Sequence, residues 1–96
     1  MTAIVIPFRP ASGTTARDLA DVQRELPADD GWAVELIADA ASVPWIAAEG
    51  PDGSAWAILR EAGRFAVAPA FGERAGFAGL PNAASAARIV RQGGAR

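Results

Sequence analysis

The sequence predicts an α+β domain: an antiparallel meander of four to five strands, with an N-terminal and a C-terminal helix packed on one face. Three observations carry that expectation. The hydrophobic period is helical from Ala16 to Leu26 and switches to two from Trp32 to Phe71. Two glycine turns, Gly50-Pro51-Asp52-Gly53-Ser54 and Glu61-Ala62-Gly63-Arg64, cut the second region into hairpins. From Leu80 the pattern becomes helical again.

In chain order, Ala3 to Phe8 reads as a short strand whose Pro7 suits a sheet margin, a candidate fifth strand near Ile4 to Phe8. Thr15 followed by Asp18 forms a capping-box pattern opening a helix from Ala16 to Leu26, which Pro27 stops. Leu19, Val22 and Leu26 make its thin apolar stripe, with Arg17, Asp18, Asp21, Arg24 and Glu25 expected mainly toward water. Pro27 to Gly31 breaks the chain. Strands follow at Trp32 to Asp39, Val43 to Glu49, Ser54 to Arg60 and Arg64 to Phe71. The Gly50 to Ser54 loop suits a type I turn closed by a glycine bulge, and Ala62-Gly63 suits a two-residue turn. Gly72 to Leu80 has no clear period and reads as a loop; its glycines lack the lysine and hydroxyl of a phosphate loop. Asn82 is the expected cap of the last helix, with Ala86, Ile89 and Val90 inward and Gly93 at its end.

These turn lengths, with a three-residue loop allowed by Asp39-Ala40-Ala41-Ser42-Val43 between the first two strands, imply a register, and register assigns each residue to a face. Ile46 should oppose Ile58 and Leu36, Ala48 should oppose Trp56 and Val34, Ile58 should meet Val67, and Arg60 should meet Phe65. One face then gathers Trp32, Val34, Leu36, Ile46, Trp56, Ile58, Phe65, Val67 and Phe71, the natural seat for the helices. The other holds Ala33, Glu35, Ile37, Trp45, Ala47, Ala55, Ala57, Leu59, Ala66, Ala68 and Ala70. A solvated antiparallel face normally carries alternating polar residues. Here they are nearly absent.

Composition narrows the chemistry. The 96 residues make one small domain, 1–96, and 24 of them are alanine, so the core must be thin and shared surface becomes attractive. There is no cysteine, histidine, tyrosine or lysine. Disulfides, thiolate nucleophiles, imidazole bases, Schiff bases and cysteine- or histidine-ligated metals are therefore excluded. Asp29-Asp30 and Asp52 have sufficient reasons as turn residues, and no calcium-loop pattern is present. No catalytic residue, metal site or cofactor is expected. Residues 1–52 carry −6 and residues 53–96 carry +4, but Arg60, Arg64, Arg74, Arg88 and Arg91 are scattered with little aromatic interleaving, which disfavours nucleic acid. The asymmetry could instead orient acidic against basic regions of two protein chains. The five-residue apolar run of the opening Met1 to Pro10 is too short to span a bilayer and lacks the charged start of a signal peptide, so a cytoplasmic protein is the expectation.

Three readings of the alanine-rich face stand open: a tolerated exposed surface, a face covered by a helix of the same chain, or a surface covered by another protein chain. The expectation is a noncatalytic interaction module that self-associates, as a homo-oligomer, or docks on a protein partner through this face or a sheet edge. Its contact residues would be Glu35, Ile37, Trp45, Ala47, Ala57, Leu59, Ala66 and Ala68. The alternative is a small-molecule-binding regulatory domain using the cleft between sheet and helices, and an unusual hydrolase or isomerase built on carboxylates and arginines is a third.

Overall fold

Thr15 opens the first helix by a reciprocal exchange. Its hydroxyl accepts from the Asp18 amide at 3.2 Å, and its own amide donates to the Asp18 carboxylate at 3.0 Å. This capping box starts α1 (Ala16–Glu25), and Leu26 closes it, its backbone N–H donating to the Val22 carbonyl at 2.8 Å. The computed structural model of the chain describes residues 14–38, 43–70 and 76–93. A single 3-10 turn, Ala28–Asp30, lies within the segment that the sequence reads only as a break, and Gly31 ends it at φ +93°.

Five strands follow: β1 (Ala33–Ile37), β2 (Trp45–Glu49), β3 (Ala55–Glu61), β4 (Arg64–Pro69) and β5 (Phe77–Leu80). They form one antiparallel sheet in the order β1-β2-β3-β4-β5, and α2 (Ala83–Arg91) completes the chain order. The turns do what their residues dictate. Between β2 and β3, Gly53 adopts φ +88° and the Gly50 amide bonds the Ser54 carbonyl at 2.8 Å, as a glycine bulge requires. Between β3 and β4, Ala62 and Gly63 both have positive φ, 53° and 82°, whose twist matches the flanking strands.

The register is the one expected. Ile46 pairs with Leu36 and Ile58, Ala48 with Val34 and Trp56, Ile58 with Val67, and Arg60 with Phe65. The side chains of Ile46, Ala48, Trp56, Ile58, Phe65 and Val67 are buried against Val22 and Leu26 of α1 and Ala83, Ala86, Ala87 and Val90 of α2. Leu19, Trp32, Val34, Leu36 and Ile89 complete that layer from partly buried positions. Both helices thus sit on the large-residue face, and the reading in which one helix covers each face is set aside. Asn82 caps α2 by accepting from the Ser85 amide at 2.9 Å.

Three expectations need correction. Gly72 to Leu80 reads as a loop, yet Phe77–Leu80 is the fifth strand, pairing Phe65 with Leu80 and Val67 with Phe77 across an irregularity. Gly76 permits the approach, because a Cβ there would stand 2.5 Å from the Val67 carbonyl oxygen. Asp18 does not face water; it is only 4% exposed. The strand ends are also shorter at β1 and β2 than the sequence suggests, beginning at Ala33 and Trp45. The expected strand near Ile4 to Phe8, with Asp39 and Phe71, lies outside the described residues.

Candidate functional site

Alternation along β1 to β4 places the eight expected contact residues on one face of the sheet. Glu35 pairs with Ala47, Ala47 with Ala57, and Ala57 with Ala68, so these four make one unbroken row across four strands. The next row begins with Ile37 paired to Trp45 and ends with Leu59 paired to Ala66. Carrying the β2–β3 register one residue further sets Trp45 beside Leu59. Glu35 is exposed, and the other seven are half-buried.

Neither helix covers this face. Every core residue projects to the other side, and among the described residues no helix packs over Ala47, Ala57 or Ala68. Small side chains leave the backbone within close reach of an approaching surface, while Ile37, Trp45 and Leu59 stand above it as large apolar groups. Val43, two residues before Trp45, is 51% exposed and extends the apolar character beyond the strand end.

The sheet edges are less available. On β1 the Gln23 side chain donates to the Val34 carbonyl at 3.0 Å, which occupies an acceptor on the edge strand. On β5 the Arg64 guanidinium donates to the Gly79 carbonyl at 3.4 Å.

A concavity of about 670 Å³ is lined from both sides of the sheet. Leu26, Trp32 and Trp56 bound its helix side, and Glu35, Trp45 and Ala55 its alanine side. The register puts Trp45 and Trp56 on opposite faces of the sheet. The helix-side part is the cleft expected for a small molecule. Trp56 Nε1 there is buried and has no hydrogen-bond partner among the described residues, although buried indole N–H groups usually find one.

The carboxylates show no convergence for chemistry. Among the described residues no three of His, Cys, Asp or Glu gather as metal ligands. Asp29 and Asp30 lie exposed in the 3-10 turn. Asp52 accepts from the Ser54 amide at 3.0 Å and from its hydroxyl at 2.8 Å. Those bonds, the backbone one foremost, hold its carboxyl below the usual carboxylate range. Asp18, the one buried acid among the described residues, is committed to α1 and to Arg60, whose guanidinium lies 3.3 Å from it. Arg60 is also held by its backbone N–H, which donates to the Thr14 hydroxyl at 3.0 Å, and by the Phe65 ring, 4.7 Å from its guanidinium carbon.

That polar latch, Thr14–Asp18–Arg60, was missed by sequence reasoning. The capping box signals Asp18's first role, but nothing local in the sequence links it to a strand residue so far along the chain. No described helix is long and apolar enough to cross a membrane. Comparison with protein-family models, with curated proteins and with solved structures finds no match.

Proposed function

We propose that the chain is a noncatalytic protein-interaction module, working in the cytoplasm without a cofactor, whose alanine-rich sheet face docks on another protein surface. The observation that supports this reading is the row Glu35–Ala47–Ala57–Ala68, over which no described helix packs, with Ile37, Trp45 and Leu59 beside it. Apolar anchors among small residues, with the charges Glu35, Glu49, Glu61 and Arg64 at the margins, have the composition of an interface centre. The helices meanwhile spend their apolar stripes on the opposite face.

Ala57→Arg tests the reading. Ala57 is flanked by Ala47 and Ala68, so an arginine here puts a charge in the middle of any interface, where desolvation without a counter-charge costs several kcal/mol. Light scattering should show association lost while circular dichroism shows the fold kept. An arginine that leaves association intact removes the face from the binding surface; an arginine that unfolds the monomer assigns the face to intramolecular packing.

A second reading is favoured by the unpartnered Trp56 N–H beside the helix-side cleft: a small-molecule-binding regulatory domain whose ligand supplies a hydrogen-bond acceptor. A melting-temperature rise with a metabolite panel, lost in Trp56→Phe, would support it over the first.

A further inference from the structure

We infer that the protein docking on the alanine-rich face presents an arginine side chain, whose guanidinium sits over Ala47 between the Trp45 ring and the carboxylates of Glu35 and Glu49. The inference rests on the docking reading above and names the chemistry of what docks. Register alone builds the seat. Trp45 and Glu49 lie two residues to either side of Ala47 on β2, and Glu35 is its partner on β1, so all three share its face of the sheet. Ala47 is the low point among them, with larger side chains on three sides and the equally small Ala57 on the fourth. Glu35, Trp45, Ala47 and Glu49 all line the concavity described above.

Charge decides what fits there. Glu35 and Glu49 are diagonal neighbours on adjacent strands, at a spacing of roughly 7–8 Å. At that spacing two carboxylates repel each other, and a cation set between them meets both. Neither has an ion-pair partner among the described residues. No arginine is among the described residues that line the concavity. Arg64, on the same face, stands opposite Glu61, at the other end of β3 from the pairing of Glu49 with Ala55. The two carboxylates are therefore left unneutralised, which repels an anionic partner group and attracts a cationic one.

A cation over Ala47 also meets the Trp45 ring, whose quadrupole attracts it. Arginine suits these three walls better than lysine does, since its planar guanidinium stacks on an aromatic ring while its five N–H donors reach more than one carboxylate. The walls are two exposed carboxylates and a half-buried indole, so each contributes a small factor. The seat selects for charge more than it adds affinity.

The probe is the capped pentapeptide acetyl-Ala-Ala-Arg-Ala-Ala-amide, titrated at low salt while the Trp45 indole N–H is followed by NMR; that signal is the one missing from Trp45→Ser. The peptide should shift it saturably. The same peptide with citrulline, the uncharged isostere of arginine, should bind about 10-fold more weakly. Glu35→Gln combined with Glu49→Gln, both at exposed positions, should abolish the preference for arginine with an unchanged circular dichroism spectrum. Citrulline that binds as well as arginine, a Trp45 signal that does not move, or a double variant that keeps the preference overturns the seat. The docking reading fails on a separate result, an associated wild type whose mass Ala57→Arg does not change. An arginine preference alongside that result overturns the protein source and makes the occupant a free guanidinium compound.

Discussion

Arg60 joins the start of α1 to the sheet: its guanidinium lies 3.3 Å from the Asp18 carboxylate, and its backbone N–H bonds the Thr14 hydroxyl. Asp18 thus serves two structures at once. One carboxylate oxygen accepts from the Thr15 amide at the helix cap, and the other faces Arg60.

Asp18→Ala removes both and should destabilise the fold by roughly 1–3 kcal/mol, combining a lost cap with a guanidinium left without its partner. Asp18→Asn retains an acceptor for the cap and should cost less. Urea denaturation of the two variants checks the order; equal midpoints would show that the Arg60 pairing contributes nothing beyond the cap.

Trp56→Ala should cost about 3–5 kcal/mol, because a buried indole only 3% exposed would leave a cavity at the centre of the helix-facing side. Trp56→Phe should be far milder. It deletes the one buried side-chain nitrogen that has no partner among the described residues, and the removed desolvation penalty offsets part of the lost packing. Denaturant midpoints well separated in that order are expected, and an Ala variant as stable as wild type would remove Trp56 from the core.

Gly76→Val should detach β5. A Cβ at this position meets the Val67 carbonyl oxygen at 2.5 Å and the Ala68 Cβ at 3.0 Å, and backbone cannot yield as a flexible side chain does. Amide exchange should accelerate in 77–80 while β2 and β3 stay protected. Uniform protection across the sheet would contradict the approach.

The pH dependence follows from Asp52. Its folded carboxyl is held below the ordinary range by the Ser54 bonds, so its contribution is present above the unfolded pKa and is lost as pH falls through the folded one. Asp52→Ala should therefore melt lower than wild type at neutral pH, and the gap should close in strong acid. A gap that stays constant would show that the turn is not held by the ionised form.

Much of this fold was legible because its turns are short and chemically explicit. Gly50 to Ser54 and Ala62-Gly63 each suit one hairpin geometry, and once those are placed every pairing from Ile46 to Val67 follows by counting; Leu36 opposite Ile46 needs the further reading of a short loop between the first two strands. β5 was hidden because Phe77-Ala78-Gly79-Leu80 has neither alternation nor β-branching; pairing with β4 makes it a strand, not its own pattern. The Thr14–Asp18–Arg60 latch was hidden for a related reason, since a polar contact between distant segments leaves no period to read. The alanine-rich face was legible as a set of residues, because alternation alone defines it.

Trp45 and Trp56 provide the sharpest separation of core from interface, since they lie on adjacent strands and opposite faces. Trp45 is half-buried and lies outside the core cluster that holds Trp56. Trp45→Ser should leave the monomer's unfolding midpoint close to wild type, because the core keeps all its atoms. Association should weaken strongly: a central aromatic anchor contributes about 2 kcal/mol or more, which is roughly a 30-fold rise in Kd. Scattering across a concentration series reads the second effect and urea denaturation of the dilute, dissociated protein reads the first. A Trp45→Ser protein that loses stability as a monomer would place the shelf in the fold itself, and one that associates as tightly as wild type would move the contact away from Trp45 altogether.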